Sequence, residues 1–593
     1  MKTNRVLAVT LILIGMMLML QAPARVLAQD QQDQPPEAQA PPQGEQQPAQ
    51  DPPGRAARLS YSIGSVSFQP GGEGDWVQAV VNRPLTTGDN LWADKDSRAE
   101  FQIGSTSVRM DSETSLTFLE LDDHTTQLRL SQGAVMFRIR HLDDEDHFEI
   151  DTPNSAFVVQ RTGEYRVDVN DNGNETDTTV WRGRGEVTGG GASYVVVAGQ
   201  RARFTGSDEL EHEIGQIPAR DDFDKFAFQR DDREDHADSS TYVSPEVTGE
   251  DDLDEYGRWH YVADYGPVWT PVTVAPGWAP YRFGHWVWVQ PWGWTWVEDE
   301  PWGFAPFHYG RWAYVEGGWC WVPGPVIIRP VYAPAFVVFV GAGPGVGWFP
   351  LAPREVYVPW YHTSRGYVNN VNITNTRVNV TNITNVYNTT NVTRVTYVNQ
   401  RVNNGVTVVS RDTFVGGRPV VRNLVRVDAR EIAEAPVTRT IAVQPTRQSV
   451  LGAGRPAAAR PSATIVNRQV VATRMPPAPR GSFEESRAVT NVRTETPRTP
   501  QPAGRMENQP ARPPVNPRLE EQGTAPRPQA PAPNNRAEEP RNVPRPENPP
   551  TGITHPQQPL RSPEPSRAQE RPAPRPPSFE NGHPMVRPAP PVQ

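Results

Sequence analysis

Residues 59–205 alternate apolar and polar side chains in short runs, and Gly, Asp or Asn turns separate these runs. Examples are YSIGSVSFQ, SRAEFQI and TQLRLSQGAVMFRIR. A period of two is typical of strands that bury one face. About ten such runs at regular spacing predict an antiparallel, all-β sandwich or barrel-like domain.

Residues 257–365 carry a second β-pattern, which is built on aromatic residues. Fourteen of the 17 tryptophans lie in this segment. The hexapeptides GRWHYV, GHWVWV and GRWAYV begin at Gly257, Gly284 and Gly310, and so recur at offsets of 27 and 26. Each unit reads as two aromatic strands around a Gly-centred turn, which predicts a small β-repeat module.

The other segments lack these patterns. Residues 206–256 are acidic, which predicts a solvated linker with one or two short amphipathic helices. In residues 366–428, Asn and Thr alternate with Val and Ile, which predicts an extended strand segment, with disorder as the alternative. The Gln/Pro-rich residues 29–58 and the Pro/Arg-rich residues 429–593 predict a disordered spacer and a disordered tail. The predicted fold class is therefore mainly β.

Residues 1–28 form a predicted signal peptide. Positively charged residues precede a 15-residue apolar run from Val6 to Leu20, and small residues precede a cleavage site after Ala28. Fifteen residues fall short of the roughly 20 that a membrane-spanning helix needs. We therefore expect export and no membrane span after cleavage; an uncleaved anchor is the alternative.

The net charge of −10 is unevenly distributed along the chain. Residues 411–593 contain 27 Arg, no Lys and 16 Asp and Glu, so a basic tail follows an acidic body. In an exported protein such a tail is expected to bind an anionic envelope polymer or the protein's own acidic body. We expect no nucleic-acid partner, because of the compartment.

The first β-domain resembles the FecR family, the periplasmic β-domain named after a bacterial iron-uptake signal transducer. The resemblance rests on RPLTTGDNLWADKDSRAEFQI, TSVRMDSETSLTFLEL, LRLSQGAVMFRI and VVAGQRARF in this order. One departure is QRTG at residues 160–163, where the family usually has an apolar-Arg-Gly-Thr stretch. The resemblance implies a periplasmic sensing or scaffolding role and not catalysis.

The repeat segment resembles an uncharacterised Trp-rich repeat family that is often found behind FecR domains in exported bacterial proteins. Its mark is aromatic-x-x-Gly-x-Trp, which occurs from Tyr281 to Trp286 and from Phe307 to Trp312. VGWFPLAP is similar to the family's closing element. The resemblance implies no known activity.

The tryptophans give the sharpest binding hypothesis, because exposed rings can stack on sugars. The candidate ligand-stacking residues are Trp278, Trp286, Trp302, Trp312, Trp319 and Trp321. The alternative, which we favour, is that aromatics in phase with the repeat form the core of the module.

For the other candidate sites, a structural role is favoured over the binding of a ligand or metal. DVNDNGNETDTT has Thr179 where a calcium loop needs Glu, so a β-hairpin is favoured. HLDDEDHFEI is interpreted as a solvated acidic loop. His285 aligns with Arg311 and His308 with Arg282, an exchange that fits a cation stacked on rings and not a metal site. We expect neither a metal nor a cofactor.

A single cysteine, Cys320, excludes internal disulfides and thiolate zinc sites. It lies between two tryptophans and is expected to pack as a small apolar residue. No Ser-His-Asp set, phosphate loop or catalytic carboxylate pair stands out, so we expect no enzymatic activity. A hydrolase without a recognisable nucleophile is a further alternative.

The sequence as a whole predicts an exported, non-enzymatic protein of the periplasm or cell surface of a bacterium. It is expected to bind or scaffold envelope proteins or cell-wall polymers through the FecR-like domain and the aromatic module. The alternative is a FecR-like signal-transduction component that an uncleaved N-terminal segment anchors.

Overall fold

The computed structural model describes residues 50–484, apart from residues 327–328, 344, 389–394, 429–433, 439–440, 442 and 453. The predicted signal peptide, most of the predicted spacer and the tail beyond residue 484 lie outside the described residues. Two compact units divide the chain, residues 1–499 and 500–593, and the described residues all belong to the first.

Residues 57–216 form an antiparallel β-sandwich, and the predicted mainly β fold class is confirmed. The strands β1 to β17 are Ala57–Ile63, Val66–Gln69, Val77–Gln78, Pro84–Leu85, Asn90–Ala93, Arg98–Ile103, Thr106–Met110, Thr114–Leu121, Thr125–Ile139, His147–Asp151, Ala156–Val159, Gly163–Val169, Glu175–Arg182, Arg184–Gly189, Ala192–Val197, Gln200–Thr205 and Glu211–Gln216.

The strands form two layers that share the long strand β9. Sheet A has the order β4-β1-β6-β7-β9-β12-β13-β16-β17. Sheet B has the order β3-β2-β5-β8-β9-β10-β11-β14-β15, and only its pair β9–β10 is parallel.

Strand β9 changes sheets at Gly133. Its first half pairs in sheet B and its second half, from Gly133 on, pairs in sheet A. Gly133 has a φ of +91°, and a Cβ there would lie 2.3 Å from the Thr114 hydroxyl oxygen. Glycine at this position therefore permits the bend that joins the two layers.

The inward faces of the two sheets enclose one apolar core. Phe137 lies near its centre, with its ring centroid 5.0 Å from that of Phe148 and 5.3 Å from that of Tyr165. Each such side chain contributes roughly 1.5–3 kcal/mol when it is fully buried. The alternation in the sequence thus corresponds to the inward and outward positions of the strands.

The acidic segment is not the solvated linker that its composition predicts. Helix α1, Asp222–Asp235, begins at a capping box formed by Asp221 and Asp224. Two 3₁₀ turns, Asp238–Thr241 and Glu250–Asp252, and the short helix α2, Leu253–Tyr256, follow it. Several of the carboxylates are buried, because arginines on sheet A pair with them.

The aromatic module is a set of β-hairpins whose first strands begin at the repeat glycines or directly after them. The strands β18 to β25 are Gly257–Val262, Gly266–Pro271, Gly284–Val289, Gly293–Glu298, Arg311–Val315, Gly318–Val322, Val337–Ala342 and Gly345–Pro350. They pair in sequence as four hairpins. The short helix α3, Ala305–His308, lies between the second and the third hairpin.

Each of the three repeat hairpins places two tryptophans opposite each other. The cross-strand pairs are Trp259 with Trp269, Trp286 with Trp296, and Trp312 with Trp321. In the fourth hairpin, which the repeat in the sequence does not include, Phe339 faces Trp348. Cross-strand aromatic pairs of this kind stabilise a hairpin by about 0.2–1 kcal/mol each.

The repeat glycine of each unit lies against the tryptophan of the second strand. A Cβ on Gly257 would be 2.0 Å from the Trp269 ring, and one on Gly310 would be 2.4 Å from the Trp321 ring nitrogen. The spacing from glycine to tryptophan in the sequence therefore reflects a close approach of the tryptophan ring to the glycine backbone, which leaves no room for a Cβ.

We expect Gly284→Ala to lower the free energy of unfolding by about 1–3 kcal/mol, because it overpacks a hairpin inside the core. The added Cβ would lie 2.1 Å from the Val297 carbonyl oxygen and 2.8 Å from the Trp296 ring. Urea unfolding, followed by tryptophan fluorescence, measures the effect. Gly74→Ala is the control, since a Cβ at Gly74 meets no atom within 4 Å. Equal stability of the two variants would contradict the packing described.

The Asn/Thr-rich segment contains helices where its alternation predicts an extended strand. Helices α4, Arg365–Ile373, and α5, Val380–Asn388, occupy most of its first half, and strand β26, Thr407–Ser410, and helix α6, Arg411–Val415, follow. Asn372 and Asn375 are buried, and they hydrogen-bond to backbone groups of Tyr357 and Gly310. These tertiary contacts outweigh the weak β-preference of the alternating pattern.

Part of the predicted disordered tail is ordered on the sandwich. We call the described residues of the range 443–484 the strap. After strand β27, Val437–Thr438, it contains the short helices α7, Arg447–Leu451, and α8, Ala463–Val466. Arg447 pairs with Glu73 and Asp75, so the basic strap binds the protein's own acidic body.

A buried arginine joins the sandwich to the aromatic module. Arg58 on β1 donates hydrogen bonds to the Asn82 side chain at 2.9 Å and to the Pro301 carbonyl at 2.7 Å. It also pairs with Asp252 at 2.5 Å. Asn82 in turn donates to the Glu300 carbonyl at 2.6 Å. These contacts fix the module against one end of sheet A.

Candidate functional site

The structure places all six candidate ligand-stacking tryptophans in the interior. Trp278, Trp286, Trp302, Trp312, Trp319 and Trp321 are at most 7% exposed. They belong to one aromatic cluster with ring centroids about 5 to 6 Å apart, as in Trp278–Trp302 at 5.7 Å. In this conformation the six rings are core residues and offer no face to a sugar.

Two tyrosines in the described part of the module are exposed, and neither is among the predicted ligand-stacking residues. Tyr261 is 76% exposed and Tyr314 is 42% exposed. They occupy the fifth position of their repeat hexapeptides, next to the hairpin turn, whereas the tryptophan at the third position lies over the core. The signal in the sequence that could have identified these exposed tyrosines is their position next to the hairpin turn.

The histidines and arginines of the repeat occupy different environments. Arg311 stacks on Phe336, with its guanidinium carbon 4.1 Å from the ring centroid. His308 packs between Phe304 and Tyr332, but burial lowers its pKa to about 3, so it is neutral. The predicted stacked cation is therefore present at Arg311 and absent at His308.

Cys320 is buried, and its burial raises the pKa of the thiol to about 11. Its Sγ faces the Ala313 carbonyl of the same hairpin at 3.6 Å. A protonated, buried thiol is a poor nucleophile. Within the residues that the structure describes, no group of three or more His, Cys, Asp or Glu side chains could hold a metal ion.

The outer face of sheet A is covered by the acidic segment through a buried ion network. Arg109 pairs with Glu100 at 2.8 Å, with Asp231 at 2.5 Å and with Glu234 at 2.7 Å. Burial would raise the pKa of Glu100, but Arg109 and Arg230 hold it at about 2. The network therefore fastens helix α1 to the sheet by charge as well as by packing.

Glu250 is the least compensated carboxylate of this cover. It is buried, and neither of its oxygens has a hydrogen-bond partner among the described residues. Burial, reinforced by Asp251, raises its pKa to about 8. The folded protein thus binds a proton here that the unfolded chain releases near pH 4.5.

We expect Glu250→Gln to stabilise the protein at pH 8 by at least about 2 kcal/mol, with little effect at pH 5. Because the pKa is raised in the folded state, the wild-type free energy of unfolding falls as pH rises from 4.5 to 8. Thermal unfolding at several pH values measures the effect, with the exposed Glu209→Gln as the control. A constant difference between wild type and variant at all pH values would contradict this assignment.

The outer face of sheet B and one of its edges are covered by the strap. Arg455 accepts a backbone hydrogen bond from Gln78 on the edge strand β3, and Ala457 donates one to Trp76. Farther along, the backbone N–H of Val471 donates to the Thr152 carbonyl at 2.9 Å. The β3 end of the sandwich is therefore closed by the chain itself.

The opposite end of the sandwich is open, and we call strands β15 and β17 the open end. In the described part of the chain, β15 pairs with β14 alone and β17 with β16 alone. The two strands stack through Tyr194 and His212, whose ring centroids are 4.0 Å apart. Val195 and Val197 on β15 are each 38% exposed, and Ile214 on β17 is 41% exposed.

Alternate backbone N–H groups of β15 point toward the open edge. The N–H of Val197 donates to the Gln200 side chain at 3.0 Å. Hydrogen-bonded and non-hydrogen-bonded pairs alternate along an antiparallel ladder. The N–H of Val195, two residues away, therefore also points away from β14 and toward the open edge. An apolar strand with free donors is a template for another strand.

Family models match two parts of the chain. Residues 89–185 match the FecR protein family, and residues 250–355 match a family of unknown function, DUF6600. The chain therefore contains a FecR domain followed by a DUF6600 domain, which confirms both resemblances. The strands of the open end, β15 and β17, follow the residues that match the FecR family.

Two crystal structures of a protein from Parabacteroides distasonis, described as an anti-sigma factor, are similar to part of the chain. Sequence identity is 14% and 13%, and the TM-score is 0.20 for both. The similarity covers 22% of this chain and 60% of those chains, so this chain spans three fifths of their length. No curated protein matches. Among the described residues, no helix has the length and apolar character to cross a membrane.

Proposed function

We propose that this FecR-domain protein is a non-enzymatic component of the bacterial envelope that binds a protein partner at its open end. The observation that carries the proposal is the pair of edge strands β15 and β17, each of which pairs on one side only in the described part of the chain. The strap and the acidic segment cover both outer faces and the β3 edge, so the open end is the part of the sandwich left for a partner.

Binding proceeds by addition of a partner strand to β15. Backbone hydrogen bonds supply affinity, and alternate side chains supply specificity. On the partner, apolar side chains would contact Val195 and Val197, which are exposed on the same face of the strand. Glu211 and Glu213 on the neighbouring β17 favour a partner segment with basic residues.

Export is part of the proposal. The predicted signal peptide supports it, and the FecR domain fits an envelope protein. Binding of cell-wall polymers has less support than protein binding, because the six candidate tryptophans are buried. The absence of activity is proposed on the environments of Cys320 and His308, a protonated thiol and a neutral, enclosed imidazole.

The FecR domain also favours a second candidate, a component of signal transduction across the envelope. In this candidate, binding of the partner strand at the open end signals an event at the outer membrane. The signal would then pass to an inner-membrane partner, which requires an anchor in the N-terminal segment. The two candidates share the binding step and differ in the fate of the N-terminal segment.

A proline at residue 195 tests the binding step. Val195→Pro removes a donor that faces the open edge and leaves the ladder to β14 intact, as proline is tolerated on edge strands. We expect the tagged Val195→Pro chain to recover at least tenfold less of a specific envelope protein than wild type. Val195→Ala, which keeps the N–H, should recover nearly as much as wild type.

Signal-peptide cleavage and cell fractionation separate the two candidates. A cleaved, freely extractable protein supports scaffolding, and an uncleaved, membrane-retained protein supports signalling. Equal recovery of the same partner by Val195→Pro and wild type, with both folded, would contradict the open end as the binding site.

A further inference from the structure

The strap crosses the outer face of sheet B as a bound peptide would. In its central part, residues 468–474, the side chains are exposed or half-buried and none is fully buried. The segment is held by hydrogen bonds and not by apolar packing. Segments with few buried contacts open locally at low free-energy cost. The strap can therefore leave this face while the sandwich stays folded.

Arg468 forms the first specific contact. Its two terminal nitrogens donate to the Ser131 carbonyl at 2.8 Å and to the Asp171 carbonyl at 2.9 Å. Gly173 lies directly beneath the guanidinium, and a Cβ there would be 2.8 Å from Arg468. The β12–β13 turn thus leaves space that a guanidinium fills. The carbonyls of Ser131 on β9 and of Asp171 in this turn together suit a planar group with two donors.

Thr473 forms the second contact, with a buried carboxylate. Its backbone N–H donates to Oε1 of Glu149 at 2.6 Å, and its hydroxyl donates to Oε2 at 2.6 Å. Glu149 has no exposed surface, so its two oxygens are fixed. A backbone N–H and a hydroxyl of one residue therefore bind both oxygens of a buried carboxylate, whose Oε2 also contacts Nε2 of His147 at 2.5 Å.

Two further contacts hold this segment on the sheet, one between the two anchors and one just after Thr473. The N–H of Val471 donates to the Thr152 carbonyl at 2.9 Å, and the Gln127 side chain donates to the Arg474 carbonyl at 3.1 Å. Together the contacts select an extended segment with an arginine and, five residues later, a threonine.

We propose that this face of sheet B is a second binding site, for an extended Arg-x-x-x-x-Thr segment of another protein, and that the strap occupies it as an autoinhibitory competitor. In residues 485–593 no arginine is followed by a threonine five residues later. The rest of the chain's own tail therefore does not reproduce the motif, and the proposal assigns the competing segment to a different molecule. This site is separate from the open end.

A labelled peptide of residues 464–478 tests the proposal by fluorescence anisotropy. The full-length wild-type chain is compared with the full-length Arg468→Ala/Thr473→Val chain, in which the competitor is weakened. A tethered segment acts at millimolar effective concentration, so the wild-type chain should bind the peptide weakly. We expect the double variant to bind it at least tenfold more tightly. Tryptophan emission and the thermal transition check that both chains are folded.

A second peptide, carrying Arg468→Ala and Thr473→Val itself, tests specificity without altering the protein. It should bind the variant chain at least tenfold more weakly than the wild-type peptide does. No saturable binding to the folded variant chain, or equal binding of the two peptides, would overturn the proposal. A wild-type dimer that becomes monomeric in the double variant would assign the site to the strap of a second copy and overturn the assignment to a different protein.

Discussion

Arg109→Met is expected to lower the free energy of unfolding by about 3–5 kcal/mol at pH 8, the usual cost of breaking a buried ion pair from one side. Arg109 has no exposed surface and faces three carboxylates, those of Glu100, Asp231 and Glu234. Methionine keeps much of the side-chain volume and removes the charge. The loss of stability is therefore caused by buried carboxylates that lack a counter-charge, and not by a cavity.

The pH dependence of this loss distinguishes charge from packing. Burial raises the pKa of Asp231 and of Glu234, and Arg109 opposes this, so without Arg109 the folded variant takes up more of the protons that the unfolded chain releases. The deficit should shrink from pH 8 to pH 5. The measurement is urea unfolding at several pH values, with Lys225→Met as the control. Lys225 forms a fully exposed pair with Asp222, which contributes little to stability because water and salt screen it. A deficit that is independent of pH would contradict the network.

Trp286→Ala is expected to lower the free energy of unfolding by about 3–5 kcal/mol, as for other large aromatic side chains removed from a core. The Trp286 ring is 1% exposed and contacts the rings of Trp296, Trp348 and Phe414, at centroid distances of 5.5, 5.5 and 5.3 Å. Removal of this ring leaves a cavity that strands β21 and β25 and helix α6 border. Chemical unfolding, followed by far-UV circular dichroism, measures the loss.

Tyr261→Ala is the control, since Tyr261 lies in an equivalent hexapeptide of the repeat but at its fifth position, where the ring is mostly exposed. It should change stability by no more than about 0.5 kcal/mol. A stable Trp286→Ala variant that instead loses binding to a polysaccharide would contradict the core role and restore the ligand-stacking hypothesis.

The repeat module was predictable because its constraints are local. Gly284 and Trp296 are 12 residues apart and touch in one hairpin, so the contact appears in the sequence as a fixed spacing. The alternation of apolar and polar residues in the first β-domain likewise predicted its strands. Which sheet a strand joins depends on pairings across the domain, as at Gly133, where one strand passes from sheet B to sheet A.

The acidic segment and the strap were not predictable from local pattern. Arg109 meets Asp231 and Glu234 more than 120 residues away, and Thr473 meets Glu149 more than 320 residues away. Composition alone assigns such charged or Pro-rich segments to solvent. The open end was missed for the same reason, because an edge is open only if no distant segment covers it.

The most direct test of the account is site-specific photocrosslinking in cells, with a photoreactive residue at position 195, 197 or 475. The account predicts that positions 195 and 197 crosslink to one partner, at partner residues two apart, as strand pairing with a period of two requires. Met475, which is 94% exposed on the strap, should give no adduct with this partner. Adducts of the same partner at Met475, or partner sites at 195 and 197 without that spacing, would contradict strand addition at the open end.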